Sequence, residues 1–162
     1  MKELQFTKGM EVEVFSDDKD LRGVLFVATV RSVSVKKKKV LIEYQTLMAD
    51  EIGSKPLREF VNVVQIRPIP PLEVDRVFQF SDEVDAYHND GWWEGVVTRV
   101  LDKDRYLVYF RSGKEEIEFG RSELRIHREW VRGVWVPPMD LTENQEKQVQ
   151  CFRFIAYWRS DR

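Results

Sequence analysis

The sequence predicts an all-β chain: two small barrels in tandem, packed together, with a short C-terminal extension. Three observations carry this. Short apolar runs rich in β-branched residues alternate with charged or glycine-containing turns. The pattern occurs twice, since Phe6, Val12, Val14 and Phe15 fall on Phe78, Val84, Ala86 and Tyr87 at a constant offset of 72. A proline-rich segment separates the two copies, and repeats of this size are small barrels more often than solenoid units.

In the first copy, Glu11 to Phe15, Phe26 to Val33, Val40 to Tyr44 and Val61 to Ile66 read as strands. The four lysines Lys36 to Lys39 suit a hairpin tip that discourages edge pairing. Arg67 to Asp75 contains Pro68, Pro70 and Pro71, which cannot donate ladder hydrogen bonds and stiffen a linker. In the second copy, Glu83 to Tyr87, Trp93 to Leu101, Tyr106 to Phe110, Glu115 to Phe119 and Ser122 to Ile126 read as strands. By alignment Phe26 falls on Trp93, Tyr44 on Phe110, Glu59-Phe60 on Glu118-Phe119, and Ile66 on Ile126. Gly133 to Pro138 reads as an extended strap docking Trp135. Leu141 to Gln150 is a candidate helix capped by Thr142, with Gln145 three residues on. Residues 151–162 are rich in aromatics, and could form a further strand or a docking segment. The division expected is domain 1 at 5–68, linker at 69–77, domain 2 at 78–138 and extension at 139–162.

Composition narrows the chemistry. The 162 residues are 43% hydrophobic and 33% charged, which suits two small domains with much solvated surface. Net charge is −2, so nothing draws the whole chain to nucleic acid. Residues 1–72 carry 12 basic and 10 acidic side chains, and the remainder is net acidic, tolerating cationic partners. Cys151 stands alone, so no internal disulfide can form and a reducing, intracellular setting is expected. No apolar run is long enough to cross a bilayer.

Enzyme signals are weak. His88 and His127 are the two histidines, and no metal-ligand spacing, phosphate loop or nucleophile elbow is present. The expectation is no catalytic residue, no metal and no cofactor. The aromatics are the stronger signal. Neighbours on a strand point to opposite faces, so Trp93 is expected at the barrel mouth and Trp92 inside. Trp93, Gly95 and Val97 share a face, and a strongly bent strand could bring Tyr87, Trp93 and Phe110 together at one end. Phe15, Phe26 and Tyr44 are their counterparts. Three convergent rings make a cage for a methylated ammonium, a poorly hydrated cation that ring faces attract. The same rings could instead fill two undersized cores.

The segments KGMEVEVFSDD, VLIEYQTL, DEIGSKPLREFVNVVQIRPIPP, VDAYHNDGWWEGVVTRVL, YLVYFRSGKEEIEFGRSELRIHREW and GVWVPP resemble the plant tandem Agenet family, a branch of the Tudor-like Royal family. The resemblance covers residues 6–138. It implies two strongly bent five-stranded barrels and a nuclear, chromatin-associated reader of histone H3 tails. The mark implied is heterochromatin-type lysine methylation, in the setting of DNA methylation and gene silencing. It also implies cages at Phe15, Phe26 and Tyr44, and at Tyr87, Trp93 and Phe110. A fourth Tudor ring is replaced by Leu47 and Gly113, so both cages are expected to be partly open. Leu25 stands where the family usually has tryptophan.

Asp50 and Glu51 follow the first cage, and a carboxylate there favours mono- and dimethyl-lysine. The first cage is therefore the preferred one. Asp17, Asp18, Asp90, Glu94, Glu115 and Glu116 are candidates for an acidic groove holding the free basic residues of the tail. The expected partner is a methylated H3 tail bound by a monomer, with the chain one tandem of a longer protein. Two alternatives stay open: nucleic-acid binding through Lys36 to Lys39, and a protein-interaction scaffold pairing through residues 152–158.

Overall fold

The computed structural model describes residues 5–139; the candidate helix and the aromatic segment at 151–162 lie outside them. Each repeat is a bent five-stranded unit. Repeat 1 comprises β1 (Glu11–Phe15), β2 (Leu25–Ser34), β3 (Lys39–Met48), β4 (Pro56–Asn62) and β5 (Ile66–Pro68). Repeat 2 comprises β6 (Glu83–His88), β7 (Gly91–Leu101), β8 (Arg105–Phe110), β9 (Glu115–Gly120) and β10 (Leu124–Ile126). Within each, the first strand pairs with both the second and the last, and the rest form an antiparallel meander. A single bridge between Leu25 and Trp92 joins the repeats into one ten-stranded sheet.

The bending has a repeated cause. The β2–β3 ladder slips between Val30 and Ser32, and the β7–β8 ladder slips between Val97 and Arg99. A bulge adds one unpaired residue and kinks its strand, which lets a short sheet curl over its own core. That core is Val12, Val14, Phe26, Ala28, Val30, Ile42 and Tyr44 in repeat 1. In repeat 2 it is Phe78, Val84, Ala86, Val97, Tyr106, Val108, Phe110 and Phe119. Gly95 is required at its bend, because a Cβ there would lie 2.5 Å from a Val108 methyl and 2.9 Å from the Tyr109 carbonyl.

Three local expectations are corrected. The run Val61 to Ile66 is not one strand: it spans the end of β4, a 3-10 turn at Val63–Gln65 and the start of β5. The second copy does the same, with its turn at Arg121–Glu123. In both turns the third side chain accepts a hydrogen bond from the backbone just before the turn. Gln65 accepts from Asn62 N–H at 3.1 Å, and Glu123 from Gly120 N–H at 2.8 Å.

The alignment of the last strands also shifts. Val61 lies opposite Val40 as Phe119 lies opposite Tyr106, so Val61 is the counterpart of Phe119. A one-residue slip turns a side chain to the other face, and Phe60 is 62% exposed. Ile66 lies opposite Val14 as Leu124 lies opposite Ala86, so its counterpart is Leu124 rather than Ile126.

Thr7–Ile69 and Asp75–His127 form one compact unit that holds both repeats. Pro70–Val74 and the described residues 128–139 belong to the other. Within it, the expected strap is the second strand of a hairpin, β11 (Glu129–Val131) with β12 (Val134–Val136). Its two-residue turn, Arg132 and Gly133, has φ of 50° and 80°, the left-handed geometry that matches strand twist. Trp130 and Trp135 face each other across it at 4.8 Å. Buried Arg128 ties the segment together, donating to the Pro137 and Pro138 carbonyls and to Glu73.

Candidate functional site

Strand parity places every candidate ring. On β1, Val12 and Val14 face the core, so Glu13 and Phe15 face the other way. On β6, Val84, Ala86 and His88 share the core side, while Asp85 and Tyr87 share the opposite side. Phe26 lies opposite Val14, and Trp93 opposite Ala86, so both point to the core side. Each predicted trio therefore splits between two faces.

In repeat 1, Phe26 and Tyr44 meet edge to face at 6.2 Å. Phe15 is not brought to them; the Arg67 guanidinium lies over its ring at 5.5 Å. The Phe26–Tyr44 pair is closed off. Phe26 is 3% exposed, and a Cβ on Gly91 of repeat 2 would sit 2.9 Å from its ring. Tyr44 donates its hydroxyl to Glu59 at 2.8 Å. Burial first, and that hydrogen bond second, hold the phenol proton well above tyrosine's ordinary range. Asp50 serves its own loop, accepting from the Ser54 hydroxyl and from the Ser54 and Lys55 N–H groups. The Ser54 hydroxyl, then the Lys55 N–H, hold its carboxyl below the usual range. Glu51 is exposed in the same turn.

Repeat 2 is built differently at its mouth. A cavity of about 230 Å³ is lined by Asp20, His88, Asn89, Trp93, Phe110, Ser112, Gly113 and Glu115. Trp93 and Phe110 are there, and the third ring is His88 rather than Tyr87. The imidazole lies 6.3 Å from the Trp93 ring, and 6.3 Å from Phe110 in a near-parallel stack at 18°. It meets Phe119 edge-on at 5.9 Å. The Trp93 indole N–H donates to the His88 carbonyl at 2.6 Å, which fixes the wall of the cavity.

The reason His88 reaches the mouth is the turn. Asn89 and Asp90 both have positive φ, 45° and 66°, so β6 and β7 close in a two-residue hairpin and the ladder runs out to His88 opposite Gly91. The first repeat uses residues 16–24 instead, its ladder stops at Phe15 opposite Leu25, and the matching position is Ser16. That longer connection carries Asp20 to the second mouth. Asp18 organises it, accepting from the Asp20 N–H at 3.0 Å. Asp20 and Glu115 thus bring carboxylates from both repeats to one cavity. His88, Asp20, Asn89 and Ser112 were not among the candidates; for His88 the signal was available, in the alternation Val84, Ala86, His88.

The face opposite the cores carries ions and rings. Tyr87 packs edge-on against Trp92 at 5.2 Å, and the Arg125 guanidinium lies 4.1 Å from the Trp92 ring. Trp92, expected from the sequence inside the barrel, lies instead on the surface that meets repeat 1. Glu13 and Asp85, both buried, sit at equivalent positions on that surface. Arg125 reaches Glu13 at 2.6 Å and Asp85 at 3.0 Å; Arg67 reaches Glu13 at 2.9 Å and Asp85 at 3.9 Å. His127 Nδ1 is 2.6 Å from Asp85. Buried charges persist only when paired and hydrogen-bonded, so this ring of four locks the repeats in one arrangement.

Of the acidic groove candidates, Glu115 lines the cavity. Glu116 accepts from Thr98 at 2.7 Å, and Glu94 lies 3.9 Å from His127. Asp17 and Asp18 are exposed in the β1–β2 connection, and the Asp90 carbonyl accepts from Thr46 at 2.9 Å. Lys36 to Lys39 are exposed at the β2–β3 tip. Among the described residues, no group of three His, Cys, Asp or Glu is placed to hold a metal.

Residues 9–71 and 81–140 match the Agenet domain, once per repeat. The chain belongs to the Agenet domain family. It is 47% identical over 143 residues to the protein AGENET DOMAIN (AGD)-CONTAINING P1 of Arabidopsis thaliana, covering 83% of this chain and 28% of that protein. It is 39% identical over 140 residues to DUF724 domain-containing protein 3 of the same plant, covering 83% of this chain and 20% of the relative. The chain thus spans a quarter or so of these relatives. The crystal structure of A. thaliana AGDP1 AGD34 superposes with a TM-score of 0.75 at 40% identity, over 80% of this chain and 88% of that one. The structure of ADCP1 tandem Agenet domain 3-4 gives 0.72 at 38%, over 80% and 86%. The Agenet tandem is a plant, Tudor-like fold, as the motifs implied.

Proposed function

We propose that this Agenet tandem is a nuclear chromatin reader that binds methylated lysine on the histone H3 tail, using the mouth of repeat 2. The observation that carries the reading is the cavity where His88, Trp93 and Phe110 converge beside Asp20 and Glu115. A methylammonium keeps its charge but is weakly hydrated, and each well-placed ring contributes about 0.5–2 kcal/mol to holding it. Carboxylates at the rim favour mono- and dimethyl-lysine, whose remaining N–H can donate to them. Glu115 and Asp20 at the mouth also suit a free lysine or arginine of the tail. The first repeat supports this site from behind: its own ring pair is covered, and it supplies Asp20.

Calorimetric titration with H3-tail peptides tests the reading. Dimethyl-lysine peptide should bind about tenfold more tightly than its unmodified counterpart, the size of one to two ring contacts. Equal affinity for the two peptides would overturn the proposal. Trp93→Ala should abolish the methyl preference, whereas Tyr44→Phe, which keeps the buried ring, should leave it intact.

A further inference from the structure

We infer that His88 makes this mouth a proton-competitive site, so that a proton on the imidazole and a methylammonium in the cage exclude one another. The inference rests on the methyl-lysine reading of the same cavity. Neutral imidazole is an aromatic wall, stacked on Phe110 and adjoining Trp93. Imidazolium is a second cation in a half-enclosed space, where repulsion is screened less than in bulk water. Histidine is the side chain whose ordinary titration falls between pH 5 and 8.

The groups facing the ring decide the direction. From the β1–β2 connection comes Asp20, from the start of β9 comes Glu115, and both line the cavity with His88. The Asn89 amide lies 3.2 Å from His88 Nε2. The remaining neighbours, Trp93 on β7, Phe110 on β8 and Phe119 on β9, are uncharged rings. A methylammonium and an imidazolium would thus face the same two carboxylates. Competition for one pair of carboxylates makes the ligand release a proton as it binds at low pH. For one proton, affinity falls by at most about tenfold per pH unit below the imidazole midpoint. Repeat 1 has Ser16 at this position and no such group.

The test uses an N-acetylated dimethyl-lysine H3 peptide and its unmodified counterpart, titrated from pH 8 to 5.5 into the full chain and into His88→Phe. The wild type should lose affinity for the dimethyl peptide as pH falls, while the affinity of His88→Phe, whatever its value at pH 8, should stay flat over the same range. Ring NMR signals of His88 in the wild type should titrate at lower pH when peptide is saturating, a readout that needs no variant. Parallel profiles in both proteins, or a His88 titration unmoved by peptide, would overturn the inference and leave the methyl-lysine reading standing. A wild type with no methyl preference at any pH would take down both.

Discussion

The two mouths of this tandem share a fold, a register and two of three ring positions, yet one is sealed and the other open. Phe26 and Tyr44 correspond to Trp93 and Phe110, strand for strand. The difference arises at the turn before them. A two-residue hairpin extends β6 to His88, while a longer connection ends β1 at Phe15 and sends Asp20 across to the other repeat. The second difference is Gly91, whose missing side chain lets repeat 2 approach Val24 and Phe26. Duplicated sites can therefore diverge without changing their core. One copy becomes the platform on which the other is completed.

The largest expected effect breaks the platform itself. Arg67→Ala leaves Glu13 and Asp85 buried with less compensation and should cost about 3–5 kcal/mol of stability by denaturant unfolding. A cost under about 1 kcal/mol would show that the ion ring does not tie the repeats. Next come paired ring deletions. Phe26→Ala should cost about 3–5 kcal/mol of stability, as for a buried aromatic, and spare methyl-peptide affinity in the folded protein. Trp93→Ala should do the reverse, lowering affinity about tenfold with a smaller loss of stability. If the two variants traded outcomes, the assignment of sealed and open mouths would be inverted.

A moderate effect is expected at the seam. Gly91→Ala places a Cβ 2.8 Å from a Val24 methyl and should cost about 1–3 kcal/mol, read as a lower melting temperature. The smallest effect is at Asp50. Its carboxyl is held below the usual range by Ser54 and Lys55, so it stabilises its loop above the ordinary carboxylate range. That contribution is lost as pH falls through its lowered range. Asp50→Ala should speed hydrogen exchange at the Ser54 and Lys55 amides and leave peptide affinity unchanged. A clear loss of affinity would return the first mouth to consideration.

Much of the architecture was legible along the chain. The offset of 72 paired β1 with β6, and β-branched alternation found most strands. Where expectation failed, the cause was parity or a short element. Phe60 and Phe119 look alike in sequence but differ by one residue of register, and one residue reverses the face. The three-residue β5 and β10 hide behind 3-10 turns, because strands so short carry no periodicity of their own. At the site, Tyr87 drew attention as the aromatic nearest the turn, whereas Val84 and Ala86 already assigned His88 to the inner face.

The sequence by itself determined an all-β tandem, its family, and which side chains share a face, because alternation along a strand is a covalent fact of the backbone. What covers each face was decided only in three dimensions. The side of β1 that carries Glu13 and Phe15 reads as outward, and Glu13 is fully buried because repeat 2 and its Arg125 lie on it. The same close approach, permitted by Gly91 and fixed by Arg67 and Arg125, sealed one mouth and completed the other with Asp20. No local pattern could encode it, since it depends on residues more than a hundred positions apart meeting across the seam.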